Sequence, residues 1–129
     1  MVAIRILGIV MVAMMLACSA YAVMPTQENT MAVVRALDKA TARVEELTIP
    51  INEPLKFGTL LITVRTCRVS SPEETPEAAA FIEVGEFKPG ENETPVFRGW
   101  MFASSPALSA MQHPVYDLWV TGCKNASSK

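Results

Sequence analysis

Phe97-Arg98-Gly99-Trp100-Met101-Phe102-Ala103-Ser104-Ser105-Pro106-Ala107-Leu108, running on to Gln112-His113-Pro114-Val115-Tyr116-Asp117-Leu118-Trp119, is the stretch on which the fold turns. Eight aromatic residues follow residue 22, and five of them fall here: Phe97, Trp100, Phe102, Tyr116 and Trp119. Large aromatics dominate the energetics of cores and interfaces, so the core and any binding face are expected around this segment. It reads as strand, helical turn, strand. Alternation from Val96 to Ala103 sets Val96, Arg98, Trp100 and Phe102 against Phe97, Gly99, Met101 and Ala103. Gly99 has no side chain, which suits a bulge or a close approach of another segment. Ser105-Pro106 is an N-cap residue followed by proline at the first helical position, predicting a short apolar turn through Met111. Pro114 drives His113 out of the helical region and ends it. Val115 to Cys123 then alternates as another strand.

Outward from there, the remaining chain is also strand-like. Phe57 to Val69 is the clearest run, with Leu60, Ile62 and Val64 opposed to Leu61, Thr63, Arg65 and Cys67. Ala78 to Phe87 is apolar. Ala42 to Ile51 alternates except for a step between Val44 and Leu47, where a bulge near Glu45-Glu46 is expected. Pro50 belongs at an edge or a strand end. Asn52-Glu53-Pro54, Ser70 to Pro76 and Lys88 to Glu93 are turn and loop signals. Met31, Val34 and Leu37 sit at helical spacing although Val33-Val34 favours a strand, and residues 23–36 are expected to form a flexible N-terminal segment. The domain is placed at 37–124, with a frayed tail at 125–129. The pattern predicts a mainly β, small single-domain β-sandwich or partly open barrel with one short helical turn and one disulfide.

Residues 1–22 stand apart. Arg5, the apolar run Ile6–Ala17 and the small-x-small triplet Ala20-Tyr21-Ala22 form the three-part pattern of a secretory signal peptide. The run is short for a membrane span, which needs about 20 residues, so no span is expected after cleavage. Met15-Leu16-Ala17-Cys18 loosely matches a lipobox, making a lipid-anchored envelope scaffold through Cys18 an alternative. Cleavage after Ala22 takes 22 of the 129 residues and leaves 107, enough for one domain with a modest core. Losing Arg5 moves the formal charge from −2 to −3. A weakly acidic chain without a basic cluster argues against nucleic acid. Cys18 goes with the leader, and Cys67 and Cys123 remain. In an oxidising compartment an even pair without Cys-x-x-Cys predicts the disulfide Cys67–Cys123.

The chemistry on offer is thin. Ser104 or Ser105, His113 and Asp117 are the one nucleophile–base–acid set, so a serine-type hydrolase using Ser105, His113 and Asp117 is the enzymatic alternative. No Gly-x-Ser-x-Gly elbow accompanies it, and no catalytic residue is assigned. Glu73, Glu74 and Glu77 form an acidic loop without diagnostic ligand spacing, so neither a metal nor a cofactor is expected. The candidate binding surface is Trp100, Met101, His113, Tyr116, Asp117 and Trp119, because tryptophan and tyrosine are favoured at interfaces.

Phe57-Gly58-Thr59-Leu60, Cys67, Thr75-Pro76-Glu77-Ala78-Ala79-Ala80-Phe81, the run Gly99 to Leu108, His113-Pro114-Val115-Tyr116-Asp117 and Cys123 carry a resemblance. Over about Leu37 to Lys124 the chain resembles an uncharacterised family of small secreted alphaproteobacterial proteins, a domain of unknown function. It departs at Met111-Gln112, where the family carries a glutamate before its His-Pro. The resemblance implies a periplasmic or envelope location and supplies no activity. Together these readings lead to a periplasmic, non-catalytic module whose partner is an envelope protein or polymer.

Overall fold

The structure, a computed structural model, describes residues 24–126. The leader with Cys18, and residues 127–129 of the tail, lie outside the described residues. The described residues form eight strands: β1 Gln27–Asn29, β2 Met31–Asp38, β3 Arg43–Pro50, β4 Leu55–Phe57, β5 Leu60–Val69, β6 Ala78–Glu86, β7 Thr94–Phe102 and β8 Tyr116–Lys124. They form two antiparallel sheets. The large one runs β1-β5-β6-β7, with β4 also pairing β5, and the small one runs β3-β2-β8. The expected mainly β architecture is therefore a two-sheet sandwich and not a closed barrel.

The inner faces follow from alternation. Val34 lies opposite Val120 and Ala36 opposite Leu118 in the small sheet. Ile62 lies opposite Val84 and Val64 opposite Ile82 in the large sheet. All eight are buried, and they meet as one core. Among the described residues no strand of one sheet pairs with a strand of the other. Cys67 on β5 is bonded to Cys123 on β8, Cα–Cα 5.8 Å, as the cysteine count predicts. The staple sits at one pole, where β1 pairs the end of β5 through Asn29 and Cys67. The opposite pole carries the β4–β5 turn at Gly58-Thr59 and the β6–β7 connection.

Four expectations change. The segment 23–36 is not a flexible approach to the domain, because β1 and most of β2 lie in it and Ala32, Val34 and Ala36 are fully buried. Two of those three are alanines, whose weak hydrophobic signal left the period of two hidden behind the helical spacing of Met31, Val34 and Leu37. No bulge forms at Glu45-Glu46, since β2 and β3 pair without a shift from Arg43 to Pro50. Val44 faces out and Leu47 and Ile49 face in, which accounts for the broken alternation. The helical turn after Ser105 is absent. The amide of Leu108 donates to the Ser105 carbonyl at 3.1 Å, closing a single turn, and no helix forms among the described residues. The start of the tail is tied down, because the Thr30 amide donates to Asn125 Oδ1 at 3.2 Å and the Ala126 amide to Thr30 Oγ1 at 2.8 Å.

Candidate functional site

The connection from β7 to β8, residues 103–115, begins at the disulfide pole and ends at the other, so it crosses the length of the sandwich as a strap. Midway, Ser109 Oγ comes within ordinary contact distance, 3.7 Å, of where a Cβ at Gly99 would lie, and Met111 drops into the core at 4% exposure. The bulge or close backbone approach expected at Gly99 is not found: Gly99 pairs in register with Ile82, and its nearest neighbours are the side chains of Phe97 and Ser109 at ordinary contact distance. Each end of the strap is held by a glutamate from one end of β6.

At the start, Glu77 accepts the Ser104 hydroxyl and, at 3.1 Å each, the amides of Ser104 and Ala78. Partial burial raises the Glu77 pKa, but these donors outweigh it and hold the carboxyl below the usual carboxylate range. At the far end, Glu86 Oε2 accepts the Thr59 hydroxyl at 2.8 Å and pairs with His113 Nε2 at 2.8 Å. The amides of Val115 and Tyr116 both donate to His113 Nδ1 at 3.0 Å. Two donors there assign the lone pair to Nδ1 and the proton to Nε2, so His113 donates to Glu86. The Thr59 bond is the largest cause lowering the Glu86 pKa. Burial opposes it, and His113 and Lys88 add to it.

Tyr116 completes this pole. Its ring packs edge-on against Phe57 at 5.6 Å and tilted against His113 at 5.2 Å. Its hydroxyl occupies the space above Gly58, whose φ of +57° also favours glycine. Gly90 has a similar φ of +77° with nothing near the position of a Cβ. Gly58→Ala is therefore expected to cost about 3 kcal/mol, from both backbone strain and displacement of Tyr116, against about 1 kcal/mol for Gly90→Ala. Urea midpoints of the two variants read the difference, and equal losses would refute the packing role of Tyr116.

The six residues proposed as one surface are not one surface. Met101 is buried at 3% and belongs to the core. His113, with its side chain 7% exposed, and Tyr116 are in contact but hold the strap. Trp119 lies opposite Arg35 on the outer face of the small sheet. Asp117 is on that same face, and its Oδ1 accepts the amide of Leu118 at 3.2 Å. Trp100 lies opposite Phe81 on the outer face of the large sheet, so the two tryptophans point away from each other. Nor is a Ser105–His113–Asp117 triad assembled. Nε2 of His113 donates to Glu86 and Nδ1 is filled by two amides, so the ring offers a serine proton no lone pair. Among the described residues no group of three His, Cys, Asp or Glu side chains is placed to share a metal ion.

A different patch emerges on the large sheet's outer face. Glu83 on β6 accepts from Arg65 of β5 at 3.0 and 3.2 Å and from Arg98 of β7 at 3.2 Å. The Arg65 bond is the main cause holding the Glu83 pKa down, with Arg98 adding to it. Arg98 lies over the Phe81 ring at 5.6 Å, and Phe81 packs edge-on against Trp100 at 5.6 Å. A groove of about 470 Å³ adjoins this row, lined by Thr63, Pro95, Arg65, Glu83 and Arg98 among others. The sequence signal for Phe81 and Glu83 was their place at alternate positions of an otherwise apolar strand. Glu86, a charge ending that same strand, carried the signal for the strap's far clamp.

The chain is 32% identical over 88 residues to the uncharacterized protein RP359 of Rickettsia prowazekii (strain Madrid E), a match covering 68% of this chain and 57% of that protein. The chain thus spans little more than half the length of this relative. No solved structure matches the chain. The family model described as "Uncharacterized protein conserved in bacteria (DUF2155)" matches residues 32–123, from the inner face of β2 to Cys123 of the disulfide, and the chain belongs to that family.

Proposed function

We propose that the chain is an exported periplasmic, non-catalytic module that binds a protein or polymer of the bacterial envelope through the outer face of its large sheet. The observation that carries this is the contiguous Phe81–Trp100–Arg98 patch beside the Glu83 groove. Half-buried aromatics next to an arginine are the residue types that anchor interfaces. Export is supported by the leader pattern of residues 1–22 and by the inter-sheet disulfide, which needs an oxidising compartment.

Crosslinking pull-down of the tagged, oxidised protein from the periplasm tests the binding half. The expected result is a species captured by the native protein and lost in both Trp100→Ala and Arg98→Ala. An identical capture pattern for all three would end this reading. Intact mass of native material tests the export half. A chain starting at Val23 with no alkylatable thiol is expected. An acylated Cys18 at the N-terminus would instead make the module lipid-anchored, and an intact Met1 with free thiols would overturn export altogether.

A further inference from the structure

We propose that the Trp100 patch takes a carboxylate-bearing polysaccharide, with a pyranose ring packed on Trp100 and a sugar carboxylate on Arg98. The inference rests on the reading of this face as a binding surface and names its ligand class. Trp100 and Phe81 are both partly exposed on this face, and Arg98 already lies over the Phe81 ring, so Trp100 is the ring left to meet the C–H face of a sugar. The polar side has a local excess of positive charge. Arg65 and Arg98 share the single carboxylate of Glu83. Arg65 also spends a terminal nitrogen on Asn52, whereas Arg98 contacts Glu83 through Nε alone and is 74% exposed. The terminal nitrogens of Arg98 are thus free to face a planar carboxylate, which a guanidinium pairs in bidentate fashion. The other acid lining the groove is Glu93, whose carboxylate fills the space beside Gly85. That arrangement gives the face a positive end at the aromatics and a negative end away from them, so an acidic sugar has one orientation that suits it.

Trp119 supplies an internal control, because it lies on the opposite face. In Trp119→Phe protein, Trp100 is the sole tryptophan and its fluorescence reports on the patch alone. An oligogalacturonate is expected to change that emission saturably with a Kd of about 1 mM or tighter. It should bind up to about five-fold tighter than a neutral malto-oligosaccharide of equal length, the size of one good exposed ion pair. Raising salt from about 0.1 M to about 1 M should erase that preference as the screening length falls from about 10 to about 3 Å. Arg98→Ala, an exposed site where folding is not at stake, should erase it too. Absence of saturable binding, or equal binding of the neutral sugar at low salt, overturns the inference. If either occurs while the pull-down still yields a patch-dependent protein, the binding-module reading stands without the glycan. If the pull-down is also patch-independent, both fall.

Discussion

Replacing Cys67 and Cys123 together by alanine is expected to lower the unfolding free energy by about 4 kcal/mol and the melting temperature by about 15–30 °C. The bond spans 56 residues of sequence, and a loop of that length has much conformational entropy to lose in the unfolded chain. Its position makes the effect specific. Among the described residues no strand of one sheet pairs with a strand of the other, so apart from the connections and the strap's clamps at the poles the sheets are held together by side-chain packing and by this staple. Loss of the bond acts on sheet-to-sheet docking and leaves strand pairing in place. Reducing the native protein should therefore reproduce the variant's melting temperature, and reductant should leave the variant's own unchanged. A double variant melting within a few degrees of the native protein would show that the inner faces dock firmly without the staple.

Most of the architecture was legible because alternation is a strong signal where large aliphatic residues face inward. Leu60, Ile62 and Val64 announce β5, and the positions around Trp100 announce β7. The same signal fails where the inward residues are small, which is why β2, with Ala32 and Ala36 facing in, was hidden. The binding surface was misjudged for a different reason. Sequence adjacency put Trp100 and Trp119 in one stretch, but the strap between them crosses from one sheet to the other and reverses which side is outward. The partners that matter to each come from elsewhere in the chain: Phe81 for Trp100, Arg35 for Trp119. No local pattern brings Thr59, Glu86 and His113 together either. Their meeting depends on β4–β5, β6 and the strap ending at one pole, which is a property of strand order.

That meeting makes the second large prediction. Glu86→Ala is expected to destabilise the domain by about 3 kcal/mol at neutral pH, because it strands the Thr59 hydroxyl and the His113 Nε2–H in a site that is nearly closed to water. The loss should be local first. His113 accepts the amides of Val115 and Tyr116, so once the ring is unmoored those two amides should exchange hydrogen faster than the rest of β8. The pH dependence gives an independent reading. Folding lowers the Glu86 pKa below its ordinary value of 4.5. A carboxyl of that kind stabilises the fold fully above its unfolded pKa, and the contribution disappears as pH falls through the folded pKa. The gap between native protein and Glu86→Ala should therefore be constant from neutral pH down to about 4.5 and narrow below it. Glu77 and Glu83 are lowered as well, but both proteins retain them, so they cancel in the difference. Urea melts of the two proteins across that range measure the gap directly. A gap that stays constant into strong acid would mean that Glu86 is held by packing and not by its charge, and the strap's far clamp would then be Tyr116 against Gly58 instead.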